Sequence, residues 1–383
     1  MRKVCVVVTA RPSYSRIKTA LDAIDAHPDL ELQLLIAASA LLERYGAVIE
    51  QIEADGFAIA SQVYMVLEGE NPTSMAKTTG LGVMELATAF YNLAPDVVVT
   101  VADRYETIAT AIAAAYMNIP IVHVQGGEVS GSIDEKVRHA VTKLSDLHFV
   151  ATAKAGERVR RMGEAPSSVF VTGCPSIDLA AQVLSSPVTM GDPLAKYGGV
   201  GSPVSFSEDF LVVMQHPVTS EYKEARFHVE QTLEAVTSLD IPALWFWPNV
   251  DAGSDGTSKG IRVFREQGRA ERIHFFRNFS PDDFLRVLLR ARAIVGNSSV
   301  AIREGSYLGV PAVNIGTRQR NRERGRNVVD AVYDLGAITS AIEKQLSHGP
   351  YESDPIYGDG KAGLRIADLL SRVPLTVTKQ LTY

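Results

Sequence analysis

Apolar residues recur along the chain in two alternating rhythms, short unbroken runs and longer stretches spaced at three and four positions. The runs read as buried strands and the spaced stretches as amphipathic helices. Val4 to Thr9 is a run, and Ser13 to Ala26 follows it with Ile17, Leu21 and Ile24 on one helical face. The unit repeats as strand Glu31 to Ala37 with helix Leu41 to Ala54, then weaker strand Gln62 to Val66 with long helix Met75 to Asn92. Valine-rich Val97 to Val101 precedes an alanine-rich helix to Tyr116, and Pro120 opens the next strand. His148 to Ala151 and Val169 to Thr172 finish this half. Such alternation implies a parallel sheet covered by helices on both faces.

Between Ser176 and Phe206 the rhythm lapses, and Gly, Pro and Ser accumulate as in a linker. It resumes in strands Phe210 to Met214, Ala243 to Phe246, Ile273 to Phe276, Ala293 to Val295 and Ala312 to Ile315, with helices between them, among them Val300 to Leu308. A chain of 383 residues exceeds what one ordinary core supports. The prediction is an α/β protein of two Rossmann-like parallel-sheet domains, residues 1–180 and 205–360, facing a cleft, with a helix in the 361–383 tail that could return to the first.

Composition narrows the class. A net charge of −6, with no basic run and no Arg/Lys interleaved with aromatics, argues against nucleic acid as a partner. Two cysteines are too few for a disulfide framework and lack zinc spacing, so a cytoplasmic setting is expected. No segment approaches the ~20 apolar residues of a membrane span. No GxGxxG follows a strand, the first turn being Thr9-Ala10-Arg11-Pro12, and there is no Walker lysine, so a nicotinamide cofactor is not expected.

Chemistry concentrates where strands end. The stretch Ile121 to His139 runs from strand through Gly126-Gly127 into a helix, and its edge carries His123, Gln125, Glu128 and Asp134. Ser132 and Glu135 have capping-box spacing, which gives Glu135 a structural explanation that Asp134 lacks. Gly296-Asn297-Ser298-Ser299 stands between a strand and a helix, a serine cap or, with two serines and an Asn beyond what capping requires, an anion site, and Arg303 and Glu304 follow on the first turns. Glu304 would suit ribose hydroxyls or, equally, satisfy the dipole at the helix start. His216 in Gln215-His216-Pro217 ends a strand and could protonate a leaving oxygen or neutralise phosphate. Arg11 and Arg318 hold equivalent turns, where a guanidinium fork grips two oxygens. The rest of Arg318 to Arg326 reads as a solvated loop closing over the ligand. Asp103, Glu128 and Asp134 are acids at or beyond adjacent strand ends, fit for acid/base work at a sugar carbon.

At ADRYE, GGEVSGSIDEKVRHAVTKLS, GCPSID, QHPVT, PNVDAGS, GNSSVAIRE, NIGTRQ and IYGDG the chain resembles the hydrolysing UDP-N-acetylglucosamine 2-epimerases of sialic acid synthesis, including the epimerase half of the animal epimerase/kinase. The resemblance implies a glycosyltransferase-B-like fold and a reaction without metal or redox cofactor. UDP would leave by anti elimination as C2 loses its proton, and hydration of the enzyme-bound 2-acetamidoglucal would release N-acetylmannosamine. Carried over by position, Arg11, His216, Asn249, Ser298, Ser299, Glu304 and Arg318 would hold UDP, while Asp103, Asp134 and His216 would do acid/base work. Relatives of this kind often form dimers or tetramers, which implies a homo-oligomer.

Three positions depart from the family pattern. Gln125 stands where close relatives place a glutamate, and Val101 and Ala40 stand where they place histidines. With Gln125 at the glutamate position, the candidate catalytic set is Asp103, Asp134, His216, Glu128 and Gln125. A less polar pocket would suit the related branch acting on UDP-2,4-diacetamido-2,4,6-trideoxyglucose in legionaminic acid synthesis, which is the alternative to UDP-N-acetylglucosamine. A glycosyltransferase, which would leave C2 unchanged, and a catalytically silent nucleotide-sugar sensor are the remaining rivals.

Overall fold

The computed structural model describes residues 1–42, 48–69, 71–101, 104–131, 133–186, 191–248 and 252–382, which form two units. The first comprises residues 1–128, 133–179 and 357–383, and the second residues 129–132 and 180–356.

Seven strands of the first unit pair in parallel: β1 Arg2–Val8, β2 Leu30–Ala37, β3 Ile59–Val63, β4 Val97–Val101, β5 Ile121–Val124, β6 Leu147–Val150 and β7 Val169–Val171. Their order is β3-β2-β1-β4-β5-β6-β7. Continuous apolar runs suit such a sheet because side chains on both faces meet helices. Val4, Val6 and Val8 pack on one face with Ile17, Leu21 and Ile24, whereas Cys5 and Val7 pack on the other with Leu86 and Phe90. The second unit holds β8 Val200–Gly201, β9 Leu211–Met214, β10 Ala243–Phe246, β11 Ile273–Phe276, β12 Ala293–Gly296, β13 Ala312–Ile315 and β14 Val328–Ala331. Its order is β14-β13-β12-β9-β10-β11-β8, parallel except for β8.

The helix Ala362–Arg372 belongs to the first unit and lies against the helix Arg11–Asp25. Gly363 makes the close approach possible, since a Cβ there would stand 2.4 Å from the Thr19 carbonyl oxygen. Asp178 of GCPSID accepts from the Ala362 and Gly363 amides at 2.9 and 2.7 Å, holding that helix start. The Cys174 amide donates to the Tyr357 carbonyl of IYGDG at 2.8 Å. Both motifs thus fasten the returning segment.

Several local expectations are revised. The supposed linker contains helices Pro175–Ser185 and Pro193–Tyr197. The third strand starts at Ile59 rather than Gln62, because an edge strand takes its bounds from the ladder with β2. The helix expected from Leu41 begins at Ile49. Most consequentially, the helix over Val300 to Leu308 is split into a 3-10 turn, Ser299–Ala301, and a short α-helix, Glu304–Leu308.

Candidate active site

In the second unit, β9 and β12 are neighbours, with Gly296 paired to Met214, so their following residues emerge side by side. Gly296 has φ +132°, and a Cβ would lie 2.2 Å from the Met214 carbonyl oxygen. Only glycine allows that approach. Beyond it the buried Asn297 side chain accepts from the His216 amide at 2.8 Å and donates to the His216 carbonyl at 2.8 Å. Asn297 therefore fixes the backbone of His216 rather than offering its amide to a ligand. Its own carbonyl accepts from Arg318 Nη1 at 3.2 Å and Gln319 Nε2 at 2.9 Å. One residue thus holds the His216 backbone and the Arg318 guanidinium.

Ser298 Oγ accepts from the Val300 amide at 3.4 Å, and Ser299 Oγ accepts from Arg303 Nη2 at 3.1 Å. Glu304 is buried, with Oε2 3.8 Å from Arg303 Nε. Because the helix is split, its five-residue second part supplies little dipole. The Arg318 loop is shaped from within: Thr317 Oγ1 donates to Glu221 Oε1 at 2.6 Å, and a Cβ on Gly316 would strike the Tyr333 ring. Tyr333 stacks on His228 at 3.5 Å, and burial pushes its hydroxyl up to about 12. Gln319 and Arg322 are buried and joined at 2.7 Å, and Arg324 donates to the Gln319 carbonyl at 2.8 Å. The segment expected to be a solvated loop is thus partly packed, because its long side chains pair with one another. Within the same unit the Gly131 amide donates to the Arg318 carbonyl at 2.9 Å. Asn249 lies outside the described residues.

In the first unit the polar groups gather at the carboxyl ends of β1, β4 and β5, which are sheet neighbours. Arg11 opens the helix after β1. Burial and the neighbouring Arg104 push its guanidinium down to about 10, so at neutral pH it remains a cation beside a cation. Arg104 Nε donates to the buried Glu106 at 2.7 Å. Asp103 lies outside the described residues, as does Ser132.

At the end of β5, His123 is fully buried with Nδ1 3.1 Å from Thr142 Oγ1, a core histidine. Gly127 has φ +74° and would place a Cβ 2.2 Å from the Ala155 carbonyl oxygen. Two arginines hold the turn by its backbone: Arg158 donates to the Gly127 carbonyl at 3.2 Å and Arg138 to that of Glu128 at 2.8 Å. Arg138 also donates to Glu135 Oε2 at 2.6 Å, while His139 Nε2 lies 2.9 Å from Glu135 Oε1. Glu135 is a structural hub. Glu128 is buried, and Asp134 is half-buried at the start of the helix Ile133–Leu144. Gln125 is 2% exposed and donates from Nε2 to Cys174 Sγ at 2.8 Å. Ala40 and Val101 are both buried in the apolar core of the unit.

The sequence reading missed Arg104, Arg138 and Cys174. Arg104 and Glu106 were visible two apart in ADRYE, whereas nothing in the sequence linked Cys174 to Gln125, 49 residues away. Among the described residues no group of three or more His, Cys, Asp or Glu side chains could hold a metal ion, and no helix is long and apolar enough to cross a membrane.

Two parallel α/β sheets with polar strand ends define a glycosyltransferase-B-like fold, and the solved structure of the Neisseria meningitidis UDP-GlcNAc 2-epimerase bound to UDP-GlcNAc matches it with a TM-score of 0.79 at 16% identity, over 96% of this chain and 99% of that one. The chain belongs to the UDP-N-acetylglucosamine 2-epimerase family, whose sequence profile matches residues 22–371. It is 31% identical to the hydrolyzing UDP-N,N'-diacetylbacillosamine 2-epimerase of Legionella pneumophila, over 98% of this chain and 97% of that protein. It is 28% identical to the UDP-N-acetylglucosamine 2-epimerase of Neisseria meningitidis, over 94% of this chain and 92% of that protein.

Proposed function

We propose that this epimerase is hydrolysing: it takes a UDP-2-acetamido sugar and water and releases UDP and the free 2-epimer. The observation that carries the reading is the assembly of His216, Asn297 and Arg318 beside Ser298 and Ser299, a built grip for a diphosphate. Arg11 adds a second cation and Glu304 a ribose acceptor, with Asn249 as a further contact to UDP. A carboxylate, Asp134 or Asp103, takes the C2 proton while the C1–O electrons leave with UDP, forming the C1=C2 double bond. Glu128 is a third acid for the same work. His216 neutralises the departing diphosphate. Water then adds at C1 and a proton returns to C2 on the opposite face, which inverts that carbon. The chemistry needs only proton transfer and charge stabilisation.

For the sugar, UDP-2,4-diacetamido-2,4,6-trideoxyglucose is favoured over UDP-N-acetylglucosamine. Supporting it are the Legionella relative and the apolar, buried Ala40 and Val101, which offer no partner for polar sugar groups. UDP release in heavy water from both sugars tests the reading. Product deuterated at C2 is expected; release with hydrogen retained at C2 refutes elimination, and preference for UDP-N-acetylglucosamine reverses the substrate choice.

A further inference from the structure

Gln125 leaves β5 with φ +69°, a left-handed conformation that a long side chain seldom adopts. The turn swings its amide over the sheet end to Cys174, which follows β7, two strands away. There Nε2 donates to Cys174 Sγ at 2.8 Å, and that sulfur lies 3.0 Å from Ser176 Oγ. The other end of the amide is unused: Oε1 is buried and has no hydrogen-bond partner among the described residues. A buried carbonyl oxygen without a donor is costly, and a strained backbone that maintains one points to a ligand that supplies the donor. The amide's holders, a thiol and a hydroxyl, are neutral, and the amide itself exchanges no proton.

We infer that Gln125 is a specificity-determining residue whose Oε1, aimed by Cys174 and Ser176, accepts a hydrogen bond from an N–H or O–H on the substrate's sugar ring. This rests on the proposed function and removes Gln125 from the acid/base set. Both candidate sugars share the 2-acetamido N–H; they differ at C4 and C6.

The test measures UDP release from both sugars, with UDP binding measured separately by calorimetry, for the full chain and for Gln125→Met, Gln125→Glu and Cys174→Ala. Gln125→Met should lower kcat/KM about 10-fold or more with UDP binding unchanged. Gln125→Glu keeps an acceptor and should restore KM. Cys174→Ala frees the amide and should give an intermediate loss. An equal loss on both sugars assigns the donor to the 2-acetamido group, and a loss on one assigns it to C4 or C6. Unchanged turnover by Gln125→Met overturns the inference alone, and if that variant fails to fold, unchanged turnover by Cys174→Ala does so. A parent chain that binds UDP yet turns over neither sugar overturns the proposed function and this inference together.

Discussion

Asn297 and Gln125 are both primary amides, both buried, and both placed just beyond the carboxyl end of a central parallel strand, yet their hydrogen bonds differ. Asn297 uses both ends of its amide on the backbone of one residue, His216. Gln125 spends its nitrogen on a thiol and leaves its oxygen without a partner among the described residues. A buried polar group that is fully paired is architecture, because removing it strands its partners; one left half-paired is available for recognition. On the proposed function, the second unit would be a preformed grip and the first the place where the sugar completes the structure.

Substitutions that separate grip from chemistry test this contrast most sharply. Asp134→Asn removes a carboxylate from the first unit and should lower kcat by roughly 10²–10⁴-fold while UDP still binds; normal UDP release in a stopped assay would sink its role. Asn297→Ala should do the reverse. With the His216 amide and carbonyl both left buried, stability should fall by about 2–5 kcal/mol in urea unfolding and UDP affinity should drop with it. A variant that melts normally would show that His216 holds its place unaided.

The first unit is not loosely built everywhere. Glu164, buried, meets His148 at 3.0 Å, Lys143 at 2.6 Å and Lys379 of the C-terminal tail at 2.7 Å. Burial alone would raise its carboxyl, but hydrogen bonds from His148, Lys143 and Lys379 outweigh it and hold the group at about 2. A folded value below the unfolded one stabilises the protein above the unfolded carboxyl's range, and that contribution disappears as pH falls toward 2. Glu164→Gln should therefore cost on the order of 2–3 kcal/mol at pH 7 and almost nothing near pH 2, measured by denaturant unfolding across pH. A cost independent of pH would mean packing, not charge, ties the tail down. The smallest expected effect is at Thr317→Val, which releases the Arg318 loop from Glu221 and should weaken UDP binding only a few-fold.

How much was legible in the sequence depended on the range of the interaction. Strands such as Val97–Val101 declared themselves because burial on both faces demands an unbroken apolar run. β8 and β14 did not, since two residues or a half-exposed edge carry no such demand. His216, Ser298, Ser299 and Arg318 were visible as polar residues at strand ends, but the reason Asn297 accompanies them was not, because its partner is 81 residues away.

By itself the sequence determined the α/β class, the alternation that builds two parallel sheets, and the strand ends where polar residues collect, since periodicity and glycine placement are local properties. Tertiary structure alone decided which of those polar residues are spent on one another. Asn297 is consumed by His216, Glu135 by Arg138 and His139, and Gln125 is left with one oxygen unpaired among the described residues, because hydrogen-bond satisfaction depends on what folding brings within about 3 Å.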